Sequence, residues 1–225
     1  MTLQPSDYTA FFTPGRTFAM AGGMTGTVSV VPAGDLRLDT GRLIACDPLS
    51  YVGDEGFEPF TVTVPPGSYP VAASVVTLAE ADSSSREDAP EHRRVAAARL
   101  TSRDTPPVTW EMAVVRGQDP SELKEGHYFG YGVDAGLGCF MDEAANRAFP
   151  YVLDERPEWL WSAMASTGDS AVPFIATDPA SGQSLAAFSS GWGDGAYPTW
   201  IGRDATGEVA CFVTDFLVLP APGSD

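Results

Sequence analysis

The chain has 225 residues, 44% of them hydrophobic, and carries 30 Asp and Glu against 13 Lys and Arg, a formal net charge of −17. A hydrophobic fraction of that size supports a substantial core and argues against disorder, and the charge argues against a cationic grip on nucleic acid or on an anionic membrane. The excess of acid is compatible with solubility alone, with a cation-assisted site, or with a basic protein partner.

From the N-terminus, no basic stretch precedes an apolar run, so no signal peptide is expected, and no segment nears the ~20 apolar residues that cross a bilayer. The expected location is cytoplasmic. Cys46, Cys139 and Cys211 stand far apart, without a Cys-x-x-Cys pair, which excludes a zinc ribbon and a thioredoxin-like motif and fits buried, reduced thiols.

The first half reads as strands. TGTVSVV (25–31) alternates with the period of a half-buried strand, and GRLIACDPL (41–49) is a short apolar run ending on an Asp-Pro turn. FTVTV (60–64) runs into a Pro65-Pro66-Gly67 turn, after which PVAASVVTLAE (70–80) is a long strand. Residues 81–94 are polar, charged and aperiodic, the pattern of an exposed loop; RVAAARLT and PVTWEMAVV then resume strand character, the latter with Trp110, Met112 and Val114 on one face.

Next comes FGYGVDAGLGCFMDE (129–143), whose glycines weaken a strand unless it bends or something approaches closely. Helices are expected over 142–154, with acids in the first turn, and over 157–165, with Trp159, Leu160, Trp161 and Met164 at helical spacing. The last third reads as an antiparallel meander, AVPFIAT, SLAAFSS, YPTWIGR and EVACFVTDFLVL. Two of its connections, DPASGQ and DATG, have ordinary turn chemistry, which accounts for Asp178 and Asp204. The middle one, GWGDGA, has more glycine and aromatic character than a turn needs. The expected fold is a single domain of class α+β, strand-dominated: two packed, mostly antiparallel sheets with two helices inserted before a C-terminal β-meander.

Three stretches carry candidate chemistry. In GWGDGAY, Gly191, Gly193 and Gly195 permit close backbone approach, Trp192 and Tyr197 offer flat apolar area, and Asp194 could meet a ligand or cation; the competing reading is a glycine-rich turn plugged by its tryptophan. In GYGVDAGLGCFMDE, Asp134 lies among Gly132, Gly136 and Gly138, with Asp142 and Glu143 at the expected helix start. Asp134, Asp142 and Asp194 are candidate ligands for a divalent cation, Mg²⁺ or Ca²⁺; turn-forming and helix-capping roles are the alternatives, and no EF-hand pattern is present. In ACDPL, Asp47 ends a strand, where either a site or an Asp-Pro turn fits.

Other chemistries fit less well. There is no Gly-x-Ser-x-Gly elbow. His127, Asp134 and Cys139 could form a thiol dyad with an orienting acid, but nothing in their spacing requires it and a buried Cys139 is the simpler reading. The glycine loop lacks the strand-to-helix placement and Lys-Ser/Thr of a P-loop.

Taken in order, RLIACDPL, VPPGSYPV, RVAAARL, WEMA, GYGVDAGLGCFMD, FSSGWGDGAYPTWIGRD and CFVTDFLVL resemble the bacterial family known as domain of unknown function 4241, over roughly Leu43 to Leu219. The resemblance implies no activity. The positions it singles out are Asp47, Pro66, Gly67, Tyr69, Asp134, Gly136, Gly138, Asp142, Ser190, Gly191, Trp192, Gly193, Asp194, Gly195, Tyr197 and Asp215.

If the strand ends bearing Asp47, Asp134 and Asp194 converge, they line an acidic cleft with Trp192, Tyr197 and Tyr69 as apolar walls and Gly136, Gly193 and Gly195 at its backbone. The leading expectation is an enzyme, a hydrolase acting on a small polar or cationic molecule, with an Asp as general base or holding a cation and Trp192 stacking on the substrate. The alternatives are a non-catalytic acidic binding protein that covers a basic partner, as antitoxins and immunity proteins do, and a ligand-sensing module.

Overall fold

The computed structural model describes residues 3–49, 57–80, 92–146, 149 and 158–220. It bears out the strand-dominated α+β class. Strands β1 (Thr17–Ala19), β2 (Met24–Leu38), β4 (Gly67–Glu80), β5 (His92–Thr101), β6 (Thr109–Met112), β12 (Thr199–Arg203) and β13 (Val209–Asp215) form a seven-stranded sheet of order β1-β2-β4-β5-β13-β12-β6. A second sheet, β3-β8-β10-β9, comprises β3 (Leu43–Cys46), β8 (Leu137–Asp142), β9 (Phe174–Thr177) and β10 (Ser184–Ser189). A short ribbon pairs β7 (Tyr131–Val133) with β11 (Gly195–Tyr197), and every pairing is antiparallel.

Side-chain alternation makes the small sheet the middle layer. Leu43, Ala45, Phe140, Ala186 and Phe188 point into the core shared with the large sheet. Their neighbours Ile44, Cys46, Leu137, Cys139, Met141, Leu185 and Ala187 point the other way, onto Ala145, Phe149 and Leu160. These strands are apolar throughout because both of their faces are covered. All three cysteines are buried free thiols. The outer face of the large sheet is partly covered by the short helix Tyr8–Phe11, whose Tyr8 ring meets Trp110 edge-on at 4.9 Å.

Several expectations change in detail. The four C-terminal strands are not one meander: β9–β10 is a hairpin of the small sheet and β12–β13 a hairpin of the large one. The run 60–64 is not a strand, because its amides go to three different places: Phe60 to Leu43, Thr61 to Val114 and Val64 to Gly41. Residues 92–94 of the expected loop belong to β5, while 81–91 lie outside the described residues. Asp142 ends β8 rather than opening a helix; residues 143–146 are helical, and most of the rest of that expected helix lies outside the described residues. The second helix is Glu158–Ser166, and Leu160 is the side chain it buries, with Trp159 and Ala163 packed beside it; Trp161 and Met164 face outward. No helix among the described residues is long and apolar enough to cross a membrane.

Candidate functional site

The two turns that close the C-terminal hairpins are built alike. The Asp178 carboxylate accepts from the Ala180 and Ser181 amides and the Ser181 hydroxyl, and the Asp204 carboxylate from the Thr206 and Glu208 amides and the Thr206 hydroxyl. In each, a glycine amide, of Gly182 or Gly207, closes the turn on the aspartate's own carbonyl. Both acids are buried by the turns they organise.

GWGDGA does something different: it carries the chain from β10 in the small sheet to β12 in the large one. Gly191 sits at φ +65° against the core, where a Cβ would lie 2.6 Å from Val218 Cγ2 and 3.1 Å from the Val95 carbonyl oxygen. Only glycine satisfies both demands. The Gly193 carbonyl accepts from the Ser190 hydroxyl (2.8 Å) and the Tyr197 hydroxyl (2.7 Å), which ties down the far side of the loop. The Tyr197 ring packs on Phe216 at 5.1 Å. Burial raises the Tyr197 hydroxyl above its ordinary pKa, so it stays a proton donor to that carbonyl.

The crossover touches the β7–β8 loop. The Ser190 amide donates to the Gly136 carbonyl at 3.1 Å. In the β7–β11 ribbon Val133 faces Gly195 and Gly132 faces Ala196, so continuing the register by one residue sets Asp134 opposite Asp194. Underneath lies Asp47, fully buried, with one carboxylate oxygen accepting from the Asp134 amide (2.9 Å) and the Ala135 amide (2.8 Å) and the other from the Leu49 amide (2.8 Å). The structure thus brings together Asp47, Asp134, Gly136, Ser190, Gly193, Asp194 and Gly195.

Their roles separate. Asp47 is consumed by three backbone donors and holds the β7–β8 loop in place. Asp134 and Asp194 are exposed, and neither carboxylate accepts a hydrogen bond among the described residues. Trp192 projects beside them, 57% exposed, with the Arg94 guanidinium 5.3 Å from the ring centroid. The result is a rigid, acidic tip with one exposed indole.

Two candidates lie elsewhere. Asp142 accepts from the Thr40 amide and hydroxyl and from the Ala144 amide at the opposite end of β8. A six-residue strand separates it from the Asp134 loop, roughly 20 Å at ~3.3 Å per residue. Asp134, Asp142 and Asp194 therefore do not form one ligand set, and among the described residues no three His, Cys, Asp or Glu side chains could jointly hold a metal ion. Tyr69 lies at that same far end, its hydroxyl donating to the Pro65 carbonyl in a segment fastened to Gly41. Tyr197 and Tyr69 are both packed into the core. Nor does the thiol dyad form: His127 is exposed, while Cys139 is fully buried with its sulfur 3.5 Å from Cys46 Sγ.

One buried acid escaped assignment. Asp215, in the last strand, accepts from the Tyr8 hydroxyl (3.0 Å), the Ser6 hydroxyl and the Leu217 amide. Burial outweighs these bonds and pushes its pKa up to about 6. An acid inside the apolar run CFVTDFLVL was the available signal, and its buried partner Tyr8 lies 207 residues away in sequence.

A model of the family described as "Protein of unknown function (DUF4241)" matches residues 36–214, and the chain belongs to that family. No curated protein and no solved structure matches the chain. The family match takes in Asp47, Asp134 and the whole crossover, and it stops one residue short of Asp215.

Proposed function

We propose that this protein recognises a cationic group at the crossover tip, with Asp134 and Asp194 supplying charge and Trp192 a flat face. The observation that carries this reading is the exposure of Trp192 on a loop whose backbone is otherwise fixed from below. An indole left in water on a rigid mount gains by covering its face, and a cation held between ring and carboxylates gains twice. Arg94 already uses the ring in this way within the chain. On this reading the acids act by charge and position, and the fold serves as a platform.

The test uses agmatine, a small guanidinium amine, followed by tryptophan fluorescence and calorimetry. Binding that weakens at least tenfold in Trp192→Ala, weakens several-fold in Asp134→Asn and Asp194→Asn, and falls with added salt supports the reading. Arg94→Ala, which clears the ring, should tighten binding. Equal affinity across all of these variants overturns it.

A second reading, hydrolysis of a small cationic substrate, draws on the register that sets Asp134 opposite Asp194. Two facing carboxylates can divide general-base and general-acid roles. Turnover of esters or amides of cationic amines that disappears in Asp134→Asn or Asp194→Asn, with folding intact, would establish it; turnover unchanged in both removes it.

A further inference from the structure

A cleft of about 370 Å³ opens on the outer face of the large sheet, between the N-terminal helix and the loop that follows β5. None of Asp47, Asp134 and Asp194 lines it. Its floor comes from β5 and β13, where Thr101 pairs with Cys211 and Arg99 with Val213. Phe12 and Trp110 provide aromatic walls. The volume is that of a small-molecule site.

Arg99 sets this cleft apart. Arg37, Arg42, Arg93, Arg103 and Arg203 each hold a carboxylate. Arg99 has none among the described residues. Its guanidinium lies 4.2 Å from the Phe12 ring centroid, and its Nε is fully buried without a hydrogen-bond partner. A half-buried guanidinium with no counter-charge is unfavourable, because the lost hydration is not replaced. Its planar fork matches a carboxylate or a phosphate. Thr101 adds a hydroxyl on the same face of β5. Of the other charged groups on the cleft wall, Arg103 is engaged with Glu208 at 3.3 Å and Asp104 is exposed. Cys211 at the floor is held as a neutral thiol, burial pushing it up to about 11, and so presents no competing anion.

We infer that this cleft binds a small molecule bearing an oxyanion, its carboxylate or phosphate gripped by Arg99 and Thr101 and its planar part laid against Trp110. The site is separate from the acidic tip. Arg94 and Arg99 both belong to β5, but Arg94 lies over the Trp192 ring and Arg99 over the Phe12 ring.

Benzoate and phenyl phosphate test the two oxyanions, with neutral benzamide as control, read by thermal shift and tryptophan fluorescence on the full chain. Saturable binding of either anion, with benzamide at least tenfold weaker, supports the site, and the tighter anion identifies the headgroup. Arg99→Gln should weaken binding at least tenfold while leaving the thermal midpoint equal or higher, since it removes an uncompensated charge. Thr101→Val should cost several-fold, and Trp110→Phe should abolish the fluorescence response. Arg99→Lys, which keeps the charge but not the fork, provides the same comparison in a folded background should Arg99→Gln fail to fold. Failure of both anions to bind, benzamide binding as tightly as benzoate, or affinity unchanged in Arg99→Gln and Arg99→Lys overturns the inference.

Discussion

Between β9 and β13 three loops carry an aspartate with glycine within a few residues: those after β9, β10 and β12. In two of them the acid is the scaffold: Asp178 and Asp204 are buried, and each gathers the amides and a hydroxyl of its own turn. In the third, Asp194 is exposed and its carboxylate accepts no hydrogen bond among the described residues; hydroxyls of Ser190 and Tyr197 and the conformation of Gly191 fix that loop instead. Aspartates that build turns can be recognised by the donors they consume. One that consumes none, on a loop held by other means, is free for a ligand.

This contrast can be broken by mutation. The largest effect is expected at Asp47, where Asp47→Ala removes the acceptor of three part-buried amides and leaves a void in the core; denaturant unfolding should show a loss of about 3 kcal/mol. Gly191→Ala forces a side chain into Val218 and the Val95 carbonyl at a positive φ, and should cost about 2–3 kcal/mol by the same measurement. Asp178→Ala removes the acceptor of one turn and should cost about 1–2 kcal/mol. Asp194→Asn and Asp134→Asn should stay within about 0.5 kcal/mol of the parent. If Asp194→Asn instead destabilises as much as Asp178→Ala, Asp194 is a turn acid and the contrast fails.

A pH titration reads out a buried acid directly. Asp215 is raised from 3.8 to about 6 in the folded chain, so between those values the folded state binds more protons than the unfolded one. Its contribution is therefore fully present below pH 3.8, is lost as pH rises through 6, and is on the order of 3 kcal/mol. Asp215→Asn should flatten the stability profile across that window.

Much of this was legible in the chain. Strand periodicity placed most of the sheet residues, and Asp-first, Gly-late spacing identified both hairpin turns, because these signals arise from contacts a few residues apart. The crossover stood out for the same local reason: glycines and aromatics beyond what a reversal requires. What the chain did not show was long-range. Period-2 apolarity says that β9–β10 and β12–β13 are strands but not which sheet each hairpin joins, so one meander and two hairpins read alike. Asp47, Asp134, Asp142 and Asp194 likewise look equivalent in sequence. Only the packed structure supplies three amides to Asp47, carries Asp142 to the far end of the small sheet, and leaves Asp134 and Asp194 exposed to water. Sequence by itself determined the elements and the unusual loop; tertiary structure decided which acids the fold consumes, because a carboxylate's role depends on the donors that reach it, and for Asp47, Asp142 and Asp215 most of those donors come from distant parts of the chain.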